Sequence, residues 1–127
     1  MAHEQANPAA ASRSKVLSTA VAETARHLDI GPTDLGKIIG LSQPVASRLM
    51  NGRYTIREGS KEWELGALFI RMYRGLFSLV GNSDTLAKDW LRSNNRAFGD
   101  QWPIGAIKNV QGLVHACEYI DAHRASV

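Results

Sequence analysis

The chain has 127 residues, 44% of them hydrophobic and 21% charged, with a formal net charge of +3. Those proportions describe an ordinary folded domain and exclude an intrinsically disordered chain. No stretch approaches the roughly twenty uncharged apolar residues of a membrane span. Cys117, the lone cysteine, excludes an internal disulfide and fits a reducing cytoplasm.

The pattern predicts an all-α chain. Residues 1–13, MAHEQANPAAASR, lack the apolar h-region of a secretory signal and read as a mobile tail. From Lys15 to Leu28, small and apolar residues (Val16, Leu17, Ala20, Val21, Ala25, Leu28) recur at helical spacing and predict a supporting helix.

Residues 35–52, LGKIIGLSQPVASRLMNG, read as two short helices around a tight turn. Gly31 is a suitable N-cap, and Pro32 fits the first helical position because its missing N–H would be unpaired there anyway. Leu35, Ile38 and Ile39 turn inward, Gly40 can take a left-handed helix end, and Leu41 follows as a buried plug. Gly36 stands where the two helices are expected to cross most closely, so a side chain larger than a methyl should push them apart. Ser42 caps a second helix whose inward residues are Val45 or Ala46 and Leu49, and Asn51-Gly52 closes it. This is the spacing of a DNA-reading helix-turn-helix. Gln43, Pro44, Ser47 and Arg48 then face outward. Gln43 and Arg48 are predicted to read adenine and guanine, with Lys37, Ser47 and Arg53 on phosphates. Between Asp34 and Glu58 there is no acidic residue, whereas Lys37, Arg48, Arg53 and Arg57 all fall inside. The positive charge is therefore concentrated on this segment.

A loop over residues 53–60 leads to Ser60, an N-cap for a long helix over Lys61–Val80. Its apolar residues spread beyond one stripe, so more than one face must be buried. A second copy of the chain is the expected cover, through Trp63, Phe69, Tyr73, Leu76 and Phe77. Gly81-Asn82 breaks that helix, and Ser83 or Asp84 caps another, with Leu86, Ala87, Trp90 and Leu91 inward. The loop over residues 94–103 is too apolar to be an idle connector. A helical turn (Ile104 to Ile107) and a final helix (Asn109 to about Arg124) follow, the latter with an inner stripe of Val110, Leu113, Val114, Cys117 and Ile120 expected to pack on Trp90 and Leu91. The domains expected are a tail (1–13), a helix-turn-helix domain (14–60), a connecting helix (61–82) and a small C-terminal domain (83–127).

His115 and His123 lack the i, i+4 spacing of helical metal ligands, and Cys117 sits in an apolar stripe as a core thiol. No paired carboxylates, nucleophile–base pair or phosphate-cradling glycine loop stands out, so neither catalysis, a metal, a cofactor nor a small-molecule substrate is expected.

The segment WLRSNNRAFGDQWPIGAI and the helix after it resemble the C-terminal domain of the Xre/MbcA/ParS antitoxins. The matching positions are Trp90, Leu91, Asn94 or Asn95, Phe98, Gly99, Pro103 and Ile107, with Gly112 at the glycine that usually opens the last helix. Residues 31–52 are similar to the Xre-type helix-turn-helix. Asp100 and Trp102 depart from the pattern, where small or polar residues are commoner. The resemblance implies a dimeric cytoplasmic antitoxin that covers the active site of a RES-domain, NAD-consuming toxin and represses its own operon. It also implies a toxin contact, for which this chain offers Phe98, Trp102, Tyr119, Asp121, His123 and Arg124. A free-standing dimeric helix-turn-helix regulator is the alternative reading.

Overall fold

A computed structural model describes residues 8–125. Seven α-helices run in the order α1 (Pro8–His27), α2 (Pro32–Ile39), α3 (Gln43–Met50), α4 (Lys61–Leu79), α5 (Asp84–Leu91), α6 (Pro103–Ala106) and α7 (Val110–Ala125). A single 3-10 turn, Arg96–Phe98, lies in the loop after α5. The helix starts follow their capping chemistry. Ser42, Ser60 and Ser83 have extended backbones, and their side chains accept from Val45, Trp63 and Leu86 N–H. Asn109 Oδ1 does the same for Gly112 N–H at the head of α7, at 2.8 Å.

Helix α1 begins at Pro8, so residues 8–13 of the expected tail are helical, and residues 1–7 lie outside the described set. Ala9–Ala11 carry no apolar periodicity but are strong helix formers. The extension has a tertiary anchor, Arg13 Nε to Glu58 Oε1 at 2.7 Å. Buried serines then fasten the loop before α4 to α1: Ser18 Oγ accepts from Ile56 N–H at 2.8 Å and Ser14 Oγ from Glu58 N–H at 3.1 Å. That pairs loop backbone groups that would otherwise be buried without partners.

Helix α4 is the spine, packed by α1 and α2 on one part of its circumference and by α5 and α7 on others. Two glycines let it serve two neighbours. A Cβ at Gly66 would stand 3.1 Å from Val21 Cγ2 and 3.3 Å from Leu17 Cδ2 of α1. A Cβ at Gly75 would stand 2.9 Å from Ile120 Cγ2 of α7. A glycine inside a helix costs about 0.5–1 kcal/mol, and here each permits a close helix crossing. The result is one continuous core from Val21 to Ile120.

This arrangement corrects two of the residues expected to meet a second copy. Phe69 and Leu76 are fully buried within one chain, while Trp63, Tyr73 and Phe77 are half-buried. Three further inward assignments fail: Leu86 and Val110 are 51% and 55% exposed, and Val114 is only half-buried. The stripe that does pack, Leu113, Ala116, Cys117 and Ile120, lies chiefly on α4 rather than on α5. Cys117 is a core thiol as expected, donating to Leu68 O, and burial pushes its pKa up.

Replacing Gly75 with Val is expected to destabilise the chain by about 1–3 kcal/mol, the usual cost of overpacking. Shortening Ile120 to Ala in the same chain should recover part of that loss. Chemical denaturation of the single and double variants measures both, and additive losses would mean that the two residues do not meet.

Candidate functional site

The pair α2–α3 is built as its sequence requires. Gly31 and Pro32 open α2, and Gly40 ends it in the left-handed region at φ 82°. Leu41 N–H then returns to Gly36 O at 2.9 Å, folding the turn back on the helix. The neighbour that makes Gly36 necessary is therefore the turn itself: a Cβ there would lie 2.5 Å from Leu41 O, too close even for alanine. Leu41 is half-buried rather than a full plug. Ala46 and Leu49 are the buried residues of α3, and Val45 is half-buried.

On the outer side of this pair, Lys37, Gln43, Pro44, Arg48 and Arg53 are exposed and Ser47 is half-buried. Lys37, Arg48 and Arg53 enter no ion pair among the described residues, whereas Arg13, Arg71, Lys108 and Arg124 are each matched to a carboxylate. Exposed, unneutralised cations on a two-helix ridge leave side chains free to meet base edges and phosphates. One positioning contact carries no sequence signal. Arg26 Nη2 of α1 donates to Met50 O at 3.1 Å, which places a cation at the C-terminal end of α3 and ties it to the supporting helix.

The six residues expected to contact a partner fall in three places. Phe98 is 8% exposed and belongs to an aromatic cluster, so most of its ring serves the core rather than a contact surface. It meets Trp90 edge-on at 5.7 Å, His115 at 4.8 Å and Tyr119 at 5.8 Å between ring centroids. Tyr119, half-buried, also stacks on exposed His123 at 3.9 Å. His115 Nε2 lies 2.8 Å from Ala97 O and fixes the loop to α7. Trp102 is 50% exposed and, with Phe98, lines a cleft whose other walls are Asn94, Gln101, Ile104, Gly105, Ala106 and Lys108.

Asp121 and Arg124 lie in a different groove. Asp121 pairs with Arg71 of α4 and, at 3.7 Å, with Arg124. They are therefore engaged within the chain as well as offered for a toxin contact. The groove, about 600 Å³, runs between α1, α4 and α7, with Val16, Leu17, Ala20, Trp63, Ala67 and Ile70 as its apolar lining. Arg13, Arg71, Arg74 and Arg124 rim it. No group of three or more His, Cys, Asp or Glu residues suited to a metal ion occurs among the described residues.

A polar joint links α1, α4 and α5. Asp84 accepts from Tyr73 Oη at 2.7 Å and lies 2.7 Å from His27 Nδ1, while the His27 and Tyr73 rings stack at 5.5 Å. The Tyr73 hydroxyl, with His27 and Lys88 nearby, holds the Asp84 carboxyl below its ordinary range, while burial works the other way. Burial and the Asp84 acceptor push Tyr73 up to about 12. A depressed folded pKa means stability that is present above the unfolded value of about 3.9 and lost as pH falls through the folded value. Asp84→Asn should therefore be less stable than wild type at pH 7, and the gap should close in acid. Thermal melts from pH 7 to pH 2 measure this, and a gap that widens in acid would contradict it.

Comparison with known families agrees with this geometry over nearly the whole described chain. The profile of the antitoxin Xre-like helix-turn-helix domain matches residues 8–71, and that of the antitoxin Xre/MbcA/ParS C-terminal toxin-binding domain matches residues 76–125. No individual curated protein matches the chain. The first match covers α1 to the middle of α4, and the second runs from the end of α4 to α7. The chain belongs to the Xre family of helix-turn-helix antitoxins, with a toxin-binding domain at its C-terminal end.

Proposed function

We propose that this antitoxin neutralises a RES-domain, NAD-consuming toxin by covering its active site, and that it represses its own operon through α2–α3. The observation that carries the reading is the union, in one chain with one core, of a helix-turn-helix bearing exposed Lys37, Arg48 and Arg53 and the matched toxin-binding domain. Gln43 and Arg48 read bases in this proposal, and Lys37, Pro44, Ser47 and Arg53 line the phosphate backbone. Such a protein works in the cytoplasm, where its operator is. Among the described residues no helix is long and apolar enough to cross a membrane.

The antitoxin acts as a two-fold dimer in this proposal, an arrangement that suits paired half-sites on DNA. The dimer surface is the α1–α4 groove rather than Phe69 and Leu76. Val16, 68% exposed in the wall of that groove, offers apolar surface that a two-fold contact would present on both copies. The groove also carries both charge signs, with Arg13, Arg71, Arg74 and Arg124 beside Asp121. For the toxin, exposed Trp102 offers the apolar anchor that binding hot spots favour. Tyr119 and His123 present the edge of the aromatic cluster. Asp121 and Arg124 contribute by holding α7 to α4.

Arg48→Ala should weaken binding to the DNA upstream of the gene by about 1–3 kcal/mol, the value of one bidentate base contact. Gel-shift titration at fixed salt measures it, and unchanged binding would remove Arg48 from the interface. Val16→Asp should turn a dimer into a monomer by light scattering, with the fold retained, and a wild-type chain already monomeric at micromolar concentration would rule the dimer out. Trp102→Ala should loosen a complex with the product of the adjacent gene without lowering the melting temperature. Phe98→Ala should instead unfold the chain by several kcal/mol, as truncated core aromatics do. A chain that binds operator but retains no adjacent gene product on co-purification would be a free-standing regulator.

A further inference from the structure

The toxin-binding half of the chain reaches back to the place where the DNA-reading pair begins. Helix α1 ends in a double hydrogen-bonded turn: Ile30 N–H returns to Ala25 O at 2.8 Å and Asp29 N–H to Arg26 O at 3.1 Å, with Asp29 left-handed at φ 56°. Two residues later Gly31 caps α2, with no side chain to hold its first turn and nothing within 4 Å of where a Cβ would be. Helix α2 is eight residues long, marginal on its own. Its setting therefore depends on contacts from outside.

Three such contacts come from the C-terminal half. Arg92, just past α5, donates from Nη2 to Asp29 O at 2.9 Å. Lys108, just past α6, pairs with Asp34 in the first turn of α2 at 3.1 Å. Asp84, at the head of α5, holds His27 in the last turn of α1. The two ends of α5 and the segment after α6 thus converge on residues 27–34. Because α2 and α3 are locked together through Gly36 and Leu41, whatever sets α2 also sets α3.

We propose that Arg92 and Lys108, with Asp84 behind them, are positioning residues for DNA recognition: the toxin-binding domain holds α2–α3 in its operator-reading orientation. This rests on the reading of α2–α3 as the DNA interface. It also gives the C-terminal domain a physical means of altering operator affinity, since a partner that displaces the loops bearing Arg92 or Lys108 releases the launch of α2.

The test uses the full-length chain and two duplexes: the sequence immediately upstream of its own gene, and a scrambled duplex of equal length. Arg92→Ala/Lys108→Ala should lower affinity for the first by roughly ten-fold, within the range produced by mutations along a coupled network. Affinity for the scrambled duplex and the salt dependence of binding should stay as in wild type, and hydrogen exchange should rise in residues 31–39. Arg92→Lys, which keeps a donor, should recover part of the loss. Asp34→Asn breaks the Lys108 pair from the other side and should lower operator affinity in the same direction, which serves if the double variant does not fold. A salt slope reduced by about one per removed cation would mean direct phosphate contact and overturn the proposal. Unchanged operator affinity in these variants, beside a loss in Arg48→Ala, would overturn the proposal and leave the DNA reading intact. Unchanged affinity in Arg48→Ala as well would remove the DNA reading and the proposal with it.

Discussion

Everything in this molecule depends on α4 being able to pack closely with two helices that belong to different halves of the chain. Gly66 admits α1 and Gly75 admits α7, each at a distance where a methyl group would crowd the neighbour. Without those approaches Val21, Phe69, Leu76 and Ile120 could not share one core. A chain of this length has too little surface to bury for two independent cores. The shared spine stabilises the helix-turn-helix and the C-terminal domain together, which is why the two matched regions meet within α4 rather than at a linker.

Some cations serve the fold and others do not. Away from α2–α3, several prominent cations serve the fold: Arg13 ties α1 to the loop before α4, Arg71 holds Asp121, and Lys108 holds Asp34. On the outer side of α2–α3, Lys37, Arg48 and Arg53 have no such carboxylate among the described residues. Exposed ion pairs contribute little to stability, typically about 0–1 kcal/mol, so their value here is geometric. They join α1 to the loop before α4, α7 to α4, and the segment after α6 to α2.

Local chemistry was legible in the sequence and tertiary chemistry was not. The caps at Ser42, Ser60 and Ser83, the helix ends at Gly40 and Gly81, and the exposed side of α3 all follow from residues within a few positions of one another. The burial of Phe98 depends on Trp90, His115 and Tyr119, which two other helices supply, so a bulky residue in a loop read as a contact. The same cause misplaced Phe69 and Leu76: the breadth of apolar surface on α4 was evident, but that α1, α2 and α7 would cover it was not. Ser14 and Ser18 look like filler in the chain and act as acceptors for a loop about forty residues away. Glycines at positions 66 and 75 gave a usable hint, because an otherwise apolar helix accepts glycine poorly unless a neighbour needs the space.

In the proposed function one chain both silences a toxin and reads DNA, and the first half has the more direct test. Expressing the adjacent gene alone in growing cells, then together with this chain, and measuring intracellular NAD over time decides it. The account expects NAD to collapse and growth to stop with the adjacent gene alone, and both to be restored when this chain is co-expressed. NAD that is unchanged by the adjacent gene, or that falls equally with and without this chain, would contradict it.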